Sequence, residues 1–287
     1  MTDDLASTRP PGDREWDAAT YHRVSDPHVG WGQSVLDRLS LDGDETVLDA
    51  GCGTGRLTAL LLERLPRGRV IAADASANML RTAADSLQPR FGDRVTYLQT
   101  DLQTLSLPTP VDAIFSTATF HWIPDHPRLF RHLFAALVRG GRLVAQCGGG
   151  PNLARLRGRM TPLMAAEPFA RFFAGWDGPW TFAGDVTTAQ RLRDAGFVEV
   201  ATDLEPAPTV HADAEAHRVF LTSVVLGSHL ARLPDDAIRC AFVDALVDAA
   251  ADDDPPFALD YWRLNLRGRR PEETFPGNDA AATVTLS

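Results

Sequence analysis

Glycines 51, 53 and 55 alternate with Cys52 and Thr54, directly behind the apolar run Thr46-Val47-Leu48-Asp49-Ala50. A strand that ends in such a turn can bring bare backbone against a ligand, because glycine has no side chain to hold the ligand off. The spacing is G-x-G-x-G. A dinucleotide fingerprint would place its third glycine at position 56, and that residue is Arg56. A nicotinamide-dependent oxidoreductase would share the fold class, but Arg56 argues against it. An acidic residue, Asp49, sits inside the motif. A second acid, Asp74, closes the apolar run Val70–Ala73. The basic residues number 28 and all are arginine. Without lysine there is no Schiff base, which excludes pyridoxal-phosphate and class I aldolase chemistry, and no P-loop lysine. Cys52, Cys147 and Cys240 are far apart, so the sequence offers no cysteine zinc site and no disulfide framework. No metal is expected.

These residues need elements to hold them. Residues 15–40 read as helical, with Val35, Leu36 and Leu39 at helical spacing and Trp31 one turn earlier. Thr46–Ala50 reads as a strand, and Leu57, Leu60, Leu61 and Leu65 form the stripe of a following helix that stops near Pro66. Val70–Ala73 is a second strand. Ser76 suits the N-cap of a helix running to about Leu87. Val95–Leu98 and Val111–Ser116 are further strands, 126–138 is a helix stopped by Gly140-Gly141, and Leu143–Cys147 is a fifth strand. Strand and helix alternate from 46 to 147, which implies a parallel sheet covered on both faces. Residues 151–185 then lose the rhythm. It returns with a helix at 187–195 and a strand at Phe197–Leu204. Two helices broken at Leu233-Pro234 fill 211–251. Residues 258–267 alternate like a half-buried strand. The expected organisation is a disordered tail at 1–14, a core with an N-terminal helical cap at 15–150 and a lid at 151–186. The core is completed at 187–270, with the helical insertion 211–251, and a flexible tail occupies 271–287.

The run LDAGCGTG resembles motif I of the class I S-adenosylmethionine-dependent methyltransferases. That resemblance covers about residues 15–150. It implies a Rossmann-like, doubly wound α/β fold: a mostly parallel seven-stranded sheet with an antiparallel last strand, and a helical substrate-binding lid. It implies S-adenosylmethionine as cofactor, with Asp49, Gly51, Cys52, Gly53 and Gly55 beside its methionyl and ribose portions. Asp74 and Ala75 follow the second strand at the ribose. Met79 would pack on the adenine, while Asp101 and Leu102 would face its amino group and a ring nitrogen. Ser116 ends the fourth strand against the cofactor. The plainer reading of Asp74 and Asp101 is that each caps a helix or turn. In the stretch WDAATYHRVSDPHVGWG, similar to the cap of small-molecule members, Tyr21 and Trp31 would lie near the sulfonium, whose charge an aromatic face attracts. Ordinary helix packing is the alternative for both.

The segment after the fourth strand faces the methyl group in this family. Nucleobase amino-methylating members carry an Asn/Asp-Pro-Pro-Tyr/Phe element there. This chain has TATFHWIPDH, similar to small-molecule enzymes of the trans-aconitate methyltransferase type. Phe120 and Trp122 would wall the site. His121 could act as a general base, since its ordinary pKa of about 6.5 suits proton removal near neutrality, or it could be a structural loop histidine. Phe172, Trp176 and Trp180 belong to an aromatic lid beyond the fifth strand. Arg155, Arg157, Arg159 and Arg171 in the same segment could clamp a carboxylate or phosphate or form a solvated face. Residues 211–251 complete the substrate lobe or make a homodimer contact.

The formal charge of −10 repels phosphate backbones, so no nucleic-acid partner is expected. No apolar run approaches the ~18 residues of a membrane span, and the N-terminus lacks a secretory pattern, so the expectation is a cytoplasmic enzyme without a membrane partner. The expected activity is methyl transfer to a small organic molecule. One alternative is a carboxyl O-methyltransferase of a small organic acid. Another is a non-catalytic relative that only binds the cofactor.

Overall fold

The computed structural model describes residues 26–272. In chain order the elements are α1 (Asp26–Leu36), β1 (Thr46–Ala50), α2 (Arg56–Glu63), β2 (Arg69–Asp74), α3 (Ala77–Phe91), β3 (Val95–Gln99), β4 (Val111–Thr117), α4 (His126–Ala136) and β5 (Leu137–Gly148). After these come α5 (Ala154–Ala165), α6 (Ala170–Phe173), α7 (Asp185–Asp194), β6 (Val198–Pro206), β7 (Thr209–Val210), α8 (Ala214–Phe220), α9 (Gly227–Leu230), α10 (Asp236–Ala251), β8 (Ala258–Leu259) and β9 (Trp262–Arg269). The seven-stranded sheet has the order β3-β2-β1-β4-β5-β9-β6. Strands β1 to β5 are parallel. The last strand, β9, is antiparallel to both its neighbours.

Alternation along each strand sends successive side chains to opposite faces. Val47, Ala113, Phe115 and Val144 therefore pack with α1, α2 and α3 through Val35, Leu61 and Leu87. Leu48, Ile114 and Leu143 face the other way, onto Leu129 and Leu133 of α4 and Leu192 of α7. A third apolar cluster lies off the sheet. It joins Leu156 and Met160 of α5, Phe173 of α6, Val224, and Phe242 and Leu246 of α10. The two segments expected to be a lid and a helical insertion thus share one core.

Three sequence expectations need correction. The glycine pair at 140 and 141 does not stop a helix. Helix α4 ends at Ala136, and the pair lies within β5, where the pairing with β4 slips between Val111 and Ala113. Gly140, at φ +74°, lets the chain bulge there while its amide donates to Arg270. The strand expected over 258–267 splits in two: Ala258–Leu259 pairs with β7 in a separate ribbon, and Trp262–Arg269 enters the main sheet. In the 211–251 region the first helix is interrupted by a π-turn at Leu221–Val225, and Asp235 caps α10 after the break. No described helix is long and apolar enough to cross a membrane.

Candidate active site

The chain runs outward through β1, β2 and β3, then returns to β4 on the other side of β1. Open α/β sheets bind ligands in the crevice such a reversal leaves at the carboxyl ends of the strands. The glycine turn after β1 opens onto that crevice. Gly51, Gly53 and Gly55 all have positive φ, at +89°, +54° and +81°. A Cβ on Gly51 would fall 2.1 Å from Thr119 Oγ1, and one on Gly55 2.8 Å from Leu87, but one on Gly53 would meet nothing within 4 Å. The first and third glycines close the fold, and the middle one faces open space.

Asp74 terminates β2 beside this turn. Its Oδ2 accepts the Gly53 amide and its Oδ1 the Ser76 amide, both at 2.9 Å. Ser76 caps α3 by accepting from Met79 N, and Met79 is buried in the first turn. Asp49 lies beneath the loop, 2% exposed, with Thr58 Oγ1 donating to it at 2.6 Å. Burial pushes its carboxyl up to about 7; the Thr58 hydrogen bond opposes the rise and the nearby Asp74 charge adds to it. Burial likewise pushes the Cys52 thiol far up, which leaves it an inert packing group. Asp101 caps the turn Leu102–Thr104 through the Gln103 amide at 2.8 Å, and Leu102 is buried. Ser116 is 1% exposed and donates to the Ala50 carbonyl at 2.6 Å. It ties β4 to β1 beneath the crevice and does not line it.

A cavity of about 450 Å³, counting its open mouth, adjoins the loop. Ala118 links the two regions: it lines the cavity, and the next residue, Thr119, reaches Gly51 O at 3.4 Å. Ala118 and Leu153, both lining residues, hold left-handed φ of +53° and +55°. Backbone strain of this kind concentrates at functional sites. His121, Trp122, Trp180 and Phe182 supply aromatic walls. Trp180 and Phe182 stack at 5.6 Å, and His121 lies 5.0 Å from Trp122. Gly148 N donates to His121 Nδ1 at 3.2 Å. Because a backbone amide only donates, Nδ1 carries the lone pair and the ring proton sits on Nε2.

Opposite these rings lies Arg263, 3% exposed, on β9. Its Nε donates to Gln146 Oε1 at 3.3 Å, and its guanidinium sits 4.5 Å above the Trp31 ring. Gln146 Nε2 donates in turn to Asn265 Oδ1, and Asn265 Nδ2 donates to Asp203 and Glu205. Each amide has a fixed orientation, and two carboxylates end the chain.

The structure sets Asp49, the glycine loop, Asp74, Ala75, Met79, Asp101 and Leu102 in or just after β1, β2 and β3, and His121, Trp122 and Trp180 around the cavity. It does not bring Phe120 to the cavity: that ring is 1% exposed and packs edge-on against Phe130 below the sheet. The Phe120–Trp122 segment is a single 3-10 turn, so neighbouring side chains point apart. Trp176 packs on Phe173 and His229, and Phe172 packs against the same helical cluster. Trp31 meets Tyr261 and Arg263, which line the cavity, and so stands beside it. Tyr21 lies outside the described residues. The lid arginines form no clamp: Arg159 makes a two-pronged pair with Asp253, Arg155 approaches the same carboxylate, and Arg171 and Arg157 stack on Phe172 and Phe182. Sequence reasoning missed Arg263, Asn152 and Tyr261. The available signal was the alternation of the last strand, which puts Arg263 and Asn265 on one face.

Residues 47–141 match a family model described as a methyltransferase domain. Over 244 residues the chain is 34% identical to trans-aconitate 2-methyltransferase of Azoarcus sp. (strain BH72), which spans 76% of this chain and 91% of the relative. A second protein of that name, from Methylobacterium radiotolerans, is 33% identical over 62% of each chain. Among solved structures, phosphoethanolamine N-methyltransferase 2 of Haemonchus contortus superposes on 88% of this chain and 57% of its own, at 17% identity and a TM-score of 0.57. That distant likeness speaks for the fold. The match to the Azoarcus protein covers 91% of that protein's length and 76% of this chain, and it places the chain among the class I S-adenosylmethionine-dependent methyltransferases.

Proposed function

We propose that this methyltransferase acts on a carboxylate oxygen of a small organic acid. The observation that carries the reading is Arg263, a guanidinium almost wholly buried in the wall of the cavity beside the glycine loop. The planar fork of guanidinium donors is the side chain that matches a carboxylate in shape as well as charge. The name of the Azoarcus relative, a trans-aconitate methyltransferase, supports the same class of acceptor.

The residues fit the cofactor. Open space over Gly53 leaves room for it, and the Asp74 carboxylate, held by the Gly53 and Ser76 amides, is an acceptor of the kind a ribose hydroxyl pair uses. Asp49, Gly51, Cys52 and Gly55 shape the floor of the loop. Ala75 and Met79 bound the adenine side, with Asp101 and the Leu102 amide at its edge. When bound, S-adenosylmethionine supplies an activated methyl carbon on a positively charged sulfur. Arg263 would hold one carboxylate oxygen and leave the other aimed at that carbon, so positioning supplies the acceleration. The walls Trp122 and Trp180 exclude water. A carboxylate is already ionised and needs no general base. His121 lines the same cavity and is not needed as the base.

Two measurements test this. Calorimetry should show S-adenosylmethionine and S-adenosylhomocysteine binding that Asp74→Ala abolishes and NAD does not mimic. Release of S-adenosylhomocysteine should then require an acid, and Arg263→Gln should lower kcat/KM by about 30-fold or more with cofactor affinity unchanged. Binding without turnover on any acid would overturn the carboxyl reading and leave methyl transfer to another kind of small acceptor, or the non-catalytic alternative.

A further inference from the structure

We infer that Asn152 binds the methyl acceptor, its side-chain NH2 donating to the carboxylate oxygen that is not methylated. This rests on the carboxyl-methylation reading above. Asn152 lines the cavity yet is 2% exposed. Its Oδ1 accepts the Trp262 amide at 2.7 Å. A backbone amide only donates, so the oxygen is fixed on the Trp262 side and the two Nδ2 hydrogens are turned away from it. There Nδ2 lies against Gly148: a Cβ on that glycine would fall 2.7 Å from Nδ2 and 2.9 Å from Phe182 Cε1. Gly148 is also the residue whose amide donates to His121 Nδ1. His121 and Phe182 both line the cavity, so the NH2 group stands among its walls. Among the described residues, the hydrogen bonds of the Asn152 side chain end at Trp262, and Nδ2 has no acceptor.

A buried donor without an acceptor is unfavourable, and folded proteins satisfy nearly all of theirs. In a cavity wall the guest supplies the oxygen. The donor is also fixed in place beforehand. Asn152 N donates to Gly149 O and Leu153 N to Asp260 O, and Leu153 holds a left-handed φ of +55°. These bonds tie the turn to the start of β9, so little freedom is lost when the acid arrives. A neutral donor suits both ends of the reaction. One carboxylate oxygen forms the new O–C bond as the C–S bond breaks, the bonding pair goes to sulfur, and no proton moves. The other oxygen becomes the ester carbonyl and accepts from an amide before and after transfer. Asn152 thus fixes the plane of the carboxylate while the attacking oxygen keeps its lone pair for the methyl carbon.

The test compares the full chain with Asn152→Asp, which keeps the shape and the oxygen for the Trp262 amide but replaces the NH2 with a second acceptor. Trans-aconitate, fumarate, cinnamate and sorbate serve as acids, and S-adenosylhomocysteine binding by calorimetry reports folding. On the fastest acid, kcat/KM should fall by about 100-fold or more at pH 8, with S-adenosylhomocysteine affinity unchanged. The ratio of variant to wild type should climb as pH falls to 6, because the protonated carboxyl of the variant can donate again. Asn152→Ala, which introduces no charge, should raise KM for the same acid by about tenfold. An Asn152→Asp protein that binds S-adenosylhomocysteine and matches the wild type in kcat/KM at every pH would overturn the inference and leave carboxyl methylation standing. Where that variant does not bind S-adenosylhomocysteine, an unchanged KM in Asn152→Ala would overturn it. Turnover of none of the acids by the cofactor-binding wild type would remove the carboxyl reading and this inference together.

Discussion

Replacing Asp49 with asparagine should stabilise the cofactor-free protein, and by an amount that depends on pH. The carboxyl is 2% exposed, receives one hydrogen bond from Thr58, and lies near the negative charge of Asp74. These conditions move it from an ordinary 3.8 up to about 7. For a group raised on folding, the protonated form stabilises the folded state. That contribution is fully present below pH ~4 and is lost as pH rises through about 7. At 1.36 kcal/mol per pH unit, the loss amounts to about 4 kcal/mol by pH 8, an upper figure because the loop can relax. The Asp49→Asn side chain would keep the shape and an acceptor for Thr58, yet carry no charge. Melting curves of both proteins from pH 4.5 to 8.5 should therefore converge at the acid end. At pH 8 the variant should melt higher, by up to roughly 8 °C. The order should reverse for cofactor affinity, since a cationic ligand favours an ionised Asp49 and the variant has none. A Tm difference that stays constant with pH, or a variant less stable at pH 8, would refute the reasoning.

Other perturbations have equally definite outcomes. Gly51→Ala would set a methyl group 2.1 Å from Thr119 Oγ1 at a φ of +89°; calorimetry should show lost cofactor binding and denaturation a cost of about 3 kcal/mol or more. Ser116→Ala would strand the Ala50 carbonyl inside the sheet, and urea unfolding should register about 1–3 kcal/mol with an unchanged m-value. Asp253→Asn would dismantle the two-pronged Arg159 pair joining α5 to the segment after α10. It should lower stability by about 1.5–3 kcal/mol and leave cofactor affinity, measured by calorimetry, unchanged.

The amino-acid order by itself determined the cofactor half of the molecule. The glycine turn, the strands on either side of it and the Ser76 cap depend on residues within a few positions of one another. A positive φ, a side-chain oxygen three residues before an amide, and a period of two or 3.6 are all local properties. Asp74 was legible for the same reason, since it ends a strand that its own apolar run announces. The half around the cavity depended on tertiary structure. Phe120 and Trp122 sit two residues apart, yet a 3-10 turn sends one into the core and the other to the cavity. The lid arginines looked like a carboxylate clamp until the fold brought Asp253 to Arg159 across 94 positions. The cationic residue at the cavity is Arg263, separated by 117 positions from the Gln146 that holds it. Such a pairing exists only once β9 enters the sheet antiparallel beside β5. Side-chain direction within a turn and charge pairing across the chain carry no local signature, because both are decided by which elements pack together.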